Sequence, residues 1–140
     1  MDTIKITIEA DIKADPQKVW ECWTLPEHII HWNFASDDWK CPFAKNDLRV
    51  GGIYMARMEA KDGSFGFDFE AVYDEIIEYK KITYTMGDGR QATTNFEQKG
   101  DTTHVSTVFD AESSNSIEMQ KNGWQAILNN FKTYVESITK

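Results

Sequence analysis

The C-terminal stretch is what most limits the folds open to this chain. Apolar residues at Ile117, Trp124, Ile127, Leu128, Phe131, Val135 and Ile138 trace one helical face. It extends over more than twenty residues, or roughly 35 Å at 1.5 Å per residue. Ahead of it, Asn115-Ser116-Ile117-Glu118 resembles a capping box with Asn as the cap. Everything between Leu48 and Phe109 has the other period. Leu48 to Ala60 reads as a strand turning at Lys61-Asp62-Gly63-Ser64, and Phe65 to Glu78 follows with Phe67, Phe69, Ala71 and Tyr73 on one face. Ile82, Tyr84 and Met86 alternate up to Gly87-Asp88-Gly89; Ala92, Thr94 and Phe96 run to Lys99-Gly100-Asp101; Val105, Thr107 and Phe109 close the series. Short strands joined by Asp/Gly turns make an antiparallel meander. Its apolar face needs cover, and the long helix alone is large enough to provide it.

The N-terminal third supplies the remaining pieces. Thr3 to Lys13 alternates strictly, with Ile4, Ile6, Ile8, Ala10 and Ile12 on one face. Asp15-Pro16 opens a helix carrying Val19, Trp20 and Trp23, and Thr24-Leu25-Pro26-Glu27 repeats the start signal for a second short helix to about Trp32. Asn33 to Asp47 shows neither period and is expected as a covering loop. The expected architecture is therefore α+β, a single domain over residues 1–140. A six-stranded curved antiparallel sheet wraps the long C-terminal helix, with two short helices after the first strand. A bent sheet and a straight rod touch along only part of their length, so a pocket is expected between them.

Composition narrows the function. Of 140 residues, 41% are hydrophobic and 27% charged, which suits a globular chain that needs no disulfide or metal staple. The formal charge is -8 and no Lys/Arg cluster occurs, which argues against nucleic-acid and anionic-membrane partners. No apolar run approaches the ~20 residues of a membrane span, and Met1 to Asp15 lacks a signal-peptide layout. The cytoplasm is expected, with Cys22 and Cys41 as reduced thiols, although their spacing alone leaves a bridge open.

His28 and His31, three apart and followed by Asp37, Asp38 and Cys41, could chelate a metal, but two neutral histidines on a surface helix are the simpler reading and no metal is expected. His104 is expected on an exposed strand face, and Cys22, between Trp20 and Trp23, as a packed small hydrophobe. Gly51-Gly52 lacks the third Gly and the Lys-Ser/Thr of a phosphate loop and reads as the start of a strand or a bulge. No catalytic residue and no cofactor is assigned. Glu70 shares parity with Asp68 and Asp74; a bulge turning it inward would make it an acid or base with a raised pKa, and otherwise all three face solvent across from Arg57 and Glu59.

The aromatic content, 13% with five Trp, is the best functional lead. Tyr54, Met58, Phe69, Tyr73, Tyr84, Phe96, Trp124 and Phe131 lie on expected inner faces, with Trp32, Phe34 and Trp39 as roof. Tyr and Trp offer a wide apolar plane with one hydrogen-bonding tip, the chemistry of a ligand wall. Gly123 beside Trp124 is expected to let the helix approach the sheet closely.

The chain resembles the helix-grip superfamily of START-like and Bet v 1-like domains, within it the branch of the C-terminal domain of the activator of the chaperone Hsp90's ATPase. The resemblance rests on Ala14 to Trp20, Thr24 to Trp32, Asp47 to Gly52, Phe69 to Ile76, and Gly123-Trp124, in that order. It implies a hydrophobic cavity used by relatives for lipids, sterols, polyketides and other apolar molecules. Binding of a hydrophobic or amphipathic small molecule is the expected function. The alternatives are a polyketide cyclase/dehydratase or hydrolase using Glu70, Tyr54 or Tyr73, and a regulator of the Hsp90 ATPase. The eponymous activators carry a further N-terminal domain, whereas the first strand here starts at Thr3, so Hsp90 is not an expected partner.

Overall fold

The computed structural model describes residues 4–139. Its elements run β1 Lys5–Ile12, α1 Pro16–Thr24, α2 Pro26–Ile29, β2 Trp39–Asn46, β3 Ile53–Ala60, β4 Gly66–Ile77, β5 Lys81–Met86, β6 Gln91–Lys99, β7 Thr102–Asp110 and α3 Ile117–Ile138. Among the described residues seven strands form one antiparallel sheet in the order β1-β7-β6-β5-β4-β3-β2. Hairpin connections account for β2 through β7; β1 joins the far end by pairing with β7, Ile6 opposite Phe109 and Ile8 opposite Thr107. Thr3 lies outside the described residues, and the buried face of β1 starts at Ile6 because Ile4 is exposed.

The expected covering loop is where the count changes from six strands to seven. Trp39–Asn46 is an edge strand on β3, interrupted by a register shift between Lys40 and Phe43. Cys41 and Ala44 both face inward, three residues apart, so the bulge erases the period-two signal. Pro42 sits at that bulge, a place where a residue without an N–H does little harm. The neighbouring expectation shortens: Leu48 to Gly52 is a turn, and β3 starts at Ile53. Gly51 (φ +85°) donates to the Tyr73 carbonyl at 2.8 Å, and a Cβ on Gly52 would lie 2.1 Å from the Asp47 carbonyl oxygen, so both glycines are demanded by the turn.

Helix starts follow capping chemistry with two corrections. Asp15 caps α1 as expected, accepting from the Lys18 N–H at 2.8 Å. Thr24 does not cap α2; its hydroxyl donates to the Trp20 carbonyl at 2.8 Å, and Leu25 occupies the cap with no side-chain bond. α2 itself ends at Ile29, and Trp32 lies in the turns beyond it. The cap of α3 is Ser116, one residue later than expected, accepting from Met119 N–H at 3.1 Å.

α3 lies off-centre. Its contacts with the sheet concentrate on β1. Gln125 both accepts from the Glu9 N–H (3.3 Å) and donates to its carbonyl (3.0 Å), Glu136 accepts from the Lys13 N–H (2.9 Å), and Trp124 stacks on Phe109 of β7 with ring centres 3.8 Å apart. Leu128, Phe131 and Val135 are fully buried on its inner stripe, each worth about 1.5–3 kcal/mol of hydrophobic stabilisation. Towards the C-terminal half of α3, an aromatic wedge closes the interior. Trp23 and Trp32 stack at 5.1 Å, Phe131 meets both edge-on at 4.9 and 4.8 Å, and Phe96 meets Trp23 at 5.9 Å. The Trp32 indole N–H donates to the Cys22 carbonyl at 2.9 Å, satisfying the wedge's buried polar atom.

Gly123 does not serve a close approach: a Cβ there would meet nothing within 4 Å. Removing its backbone freedom should therefore stabilise the helix. Gly123→Ala is expected to raise the unfolding free energy by about 0.5–1 kcal/mol, measured by urea denaturation; a loss of stability would show that the position serves packing after all.

Candidate functional site

Because α3 rests on the β1/β7 side, it stands off from the concave faces of β3, β4 and β5 and does not pack against them. A cavity of about 310 Å³ occupies the space between, roughly ten waters' share of liquid volume at ~30 Å³ each. Tyr54 and Met58 come from β3, Phe67, Phe69 and Tyr73 from β4, and Tyr84 from β5. Trp124, Ile127 and Leu128 form the opposing helical wall, and Trp23, Trp32 and Asn33 the end next to the wedge. Strand parity explains this set: Tyr54 pairs with Ala71, Met58 with Phe67 and Tyr73 with Tyr84, so alternate residues of adjacent strands share the inner face. The rings support one another, with Tyr54 stacked on Tyr84 at 6.2 Å and Phe69 edge-on to both at 6.0 Å.

The wall's polar atoms are few and mostly satisfied. Asn33 Nδ2 donates to the Tyr54 hydroxyl at 2.9 Å. Tyr73 donates to Asn46 Oδ1 at 2.6 Å, and Asn46 Nδ2 in turn donates to the Thr24 carbonyl at 2.7 Å, tying β2 and β4 to the end of α1. The Thr94 and Thr107 hydroxyls bond each other at 2.8 Å. Tyr84 differs: its hydroxyl has no protein partner among the described residues, and its ring, although deep in the fold, keeps accessible surface, which is cavity wall. Burial pushes the phenols of Tyr54, Tyr73 and Tyr84 well above the ordinary tyrosine range, so all three stay protonated and can donate. Arg90 is the one charged residue lining the cavity among the described residues.

Seven of the expected cavity residues line the space: Trp32, Tyr54, Met58, Phe69, Tyr73, Tyr84 and Trp124. Four do not. Phe96 and Phe131 belong to the wedge. Phe34 packs on the core surface, its carbonyl accepting from Asn130 Nδ2 at 2.5 Å. Trp39 is on β2 and reaches the cavity only through Phe67, 6.2 Å away. Glu70 lies on the exposed face opposite Met55, since the irregularity in β4 falls later, between Tyr73 and Glu75. Asp68 shares that face and pairs with Arg57 at 3.4 Å, and Arg57 also holds Glu59 at 3.0 Å. Ile8, Trp23, Asn33, Phe67, Arg90, Thr94, Thr107, Ile127 and Leu128 also line the cavity and lie outside the eleven expected residues. Arg90 was readable in principle, sharing parity with Ala92 and Thr94; Asn33 sits in an aperiodic segment and carried no signal.

The other reactive side chains lie elsewhere. His28 Nδ1 is 2.6 Å from the Tyr134 hydroxyl and His31 stacks on the same ring, so both serve the packing of α2 on α3. Cys22 and Cys41 are free and buried, and burial raises both thiols above their usual range, away from reactive thiolate. His104, on the outer face, lies with Nδ1 2.7 Å from Asp11 and Nε2 3.0 Å from Glu9.

The curled sheet, the long helix it grips and the cavity between them define a helix-grip protein. Residues 13–136 match the family described as "Activator of Hsp90 ATPase homolog 1-like protein", and the chain belongs to that family. Among solved structures it is similar to the AHSA1-like protein of Aeromonas hydrophila, 41% identical over 96% of this chain and 94% of that one, TM-score 0.91. A protein of Cytophaga hutchinsonii is 48% identical over 96% and 93% of the two chains, TM-score 0.82. A Chromobacterium violaceum protein, 22% identical over 95% and 98%, shares the fold with TM-score 0.85. None of the curated proteins compared with the chain matches it.

His104 generates a pH dependence. The bond to Asp11, then that to Glu9, raises its pKa above 6.5 in the folded state, with partial burial and, more weakly, Lys99 opposing. The stabilisation is therefore complete below pH ~6.5 and is lost as pH rises through the raised folded value. Urea titrations across pH 5.5 to 8.5 should show wild type losing stability relative to His104→Gln as pH rises; parallel curves would show that the two carboxylates do not hold the imidazolium.

Proposed function

We propose that this protein binds a hydrophobic or amphipathic small molecule in the cavity between β3–β5 and α3. The observation that carries the reading is the cavity itself: about 310 Å³, walled largely by aromatic faces, with the Tyr84 hydroxyl inside it, which has no partner among the described residues. That volume sits at the small end of ligand pockets, which run roughly 300–1,000 Å³. The helix-grip fold commonly binds ligands, which agrees with the reading. The enzymatic alternative loses support because Glu70 faces away from the cavity and the tyrosines are held protonated, poorly placed to act as bases near neutrality. Among the described residues no helix is long and apolar enough to cross a membrane, and the two free thiols suit the cytoplasm as the site of action.

A panel of apolar ring and chain compounds, screened by native mass spectrometry and tryptophan fluorescence, tests this. Wild type should retain at least one compound at one-to-one stoichiometry. Ile127→Trp, which adds an indole to the helical wall, should weaken binding about tenfold or more while leaving the melting temperature within a few degrees. Equal binding by wild type and Ile127→Trp, or no binding by either, overturns the proposal.

A further inference from the structure

The cavity is unequal in its chemistry, and the inequality identifies the ligand class. Its lining residues are apolar or neutral except at one place, just before β6, where Arg90 shares inward parity with Ala92 and Thr94. In a chain carrying 23 Asp and Glu against 15 Lys and Arg, no carboxylate lines the cavity among the described residues. The single ionic group is a cation.

Arg90 is also incompletely occupied. Its Nε donates to Asp88 Oδ2 at 2.7 Å, and Nη1 reaches the Asp110 backbone carbonyl at a long 3.5 Å. Nη2 has no partner among the described residues. Asp88 is more than half exposed, so solvent screens that pair. The Asp110 carboxylate is engaged elsewhere, by Lys5 Nζ at 2.6 Å and the Gln91 N–H at 2.9 Å. A guanidinium presents five donors in a planar fork, and here the edge carrying Nη2 remains for a second acceptor. Tyr84, three residues before the turn that leads from β5 to Arg90, adds a protonated hydroxyl with no partner among the described residues. Tyr84 pairs with Ala92 across β5 and β6, and Arg90 stands two residues before Ala92 on the same face, so Arg90 and Tyr84 are diagonal neighbours on the cavity wall.

We propose that the ligand is a small apolar monocarboxylate, its carboxylate received by Arg90 and the Tyr84 hydroxyl, and its body laid against the aromatic wall. This deepens the cavity-binding reading and rests on it. Arg90 already has the solvent-screened Asp88 as one anionic partner, so its charge alone does not select the ligand. A carboxylate is favoured because it takes charge-assisted bonds from the free guanidinium edge and the Tyr84 hydroxyl together, where a neutral carbonyl or hydroxyl takes weaker ones. The wall is made mainly of ring faces, Tyr54, Phe69 and Trp124 among them, which favours a ring-bearing body over a flexible chain.

Three probes separate these statements: 2-naphthoate, its neutral counterpart 2-naphthamide, and decanoate, each titrated by calorimetry into the full chain. Naphthoate should bind about tenfold or more tighter than naphthamide, and the advantage should shrink with added salt. Arg90→Gln should remove the advantage while leaving naphthamide affinity within about twofold. Arg90→Lys should retain part of it and serves if the Gln variant fails to fold. Tyr84→Phe should weaken naphthoate several-fold. Decanoate weaker than naphthoate supports the ring-bearing body; the reverse order overturns that part and keeps the carboxylate. Equal affinity for naphthoate and naphthamide, both weakened by Ile127→Trp, overturns the carboxylate subsite and leaves the cavity reading standing. Failure of all three probes to bind overturns this proposal, while the cavity reading stands or falls by the wider panel of apolar compounds.

Discussion

The placement of α3 along the β1/β7 side is the constraint on which the rest of the molecule depends. Two kinds of contact fix it. Gln125 and Glu136 take up backbone groups of Glu9 and Lys13 at the margin of the sheet, where an outermost strand has donors and acceptors to spare. Trp124 on Phe109, with the buried stripe of Leu128, Phe131 and Val135, then supplies the apolar attachment. A rod held to one side of a bent sheet cannot also fill the other side. The open concavity over β3–β5 follows from that docking and needs no separate cause.

The aromatic wedge sets how much of that concavity survives. Trp23, Trp32, Phe96 and Phe131 interlock near the C-terminal half of α3 and close that end. Interiors pack to nearly crystalline density, so any void as large as this must be kept open by side chains that are already braced against something else. The tyrosines are braced in this way: Tyr54 by Asn33, Tyr73 by Asn46. Neither can swing inward without leaving its partner unsatisfied, at a cost of about 1–3 kcal/mol. The polar tips of the wall thus keep its apolar faces apart.

The sequence was legible wherever one periodicity ran without interruption. β3, β4 as far as Tyr73, β5 to β7 and the stripe of α3 have clean alternation or clean helical spacing, and the inner faces read from them account for Tyr54, Met58, Phe69, Tyr73, Tyr84 and Trp124 in the cavity. Legibility failed at β2, whose bulge puts Cys41 and Ala44 on one face three residues apart. Parity also could not separate wall from filling. Phe96 and Phe131 face inward as correctly as Tyr84 does, yet they meet tryptophans from α1 and the turn after α2, a contact set by tertiary geometry that no local pattern encodes. The caps of α2 and α3 were displaced for a related reason. Several residues at each helix start have the right chemistry, and backbone geometry selects among them.

The interruption in β2 has a bearing on solubility. An outer strand with a full row of free peptide groups invites other chains to add to it, the first step of ordered aggregation. Here that row is broken: Pro42 offers no donor, and the shift between Lys40 and Phe43 throws the spacing of its neighbours out of phase. A straight guest strand could match only a few residues before losing step. The irregularity that hid β2 from sequence reading thereby protects the molecule against polymerising through its own rim.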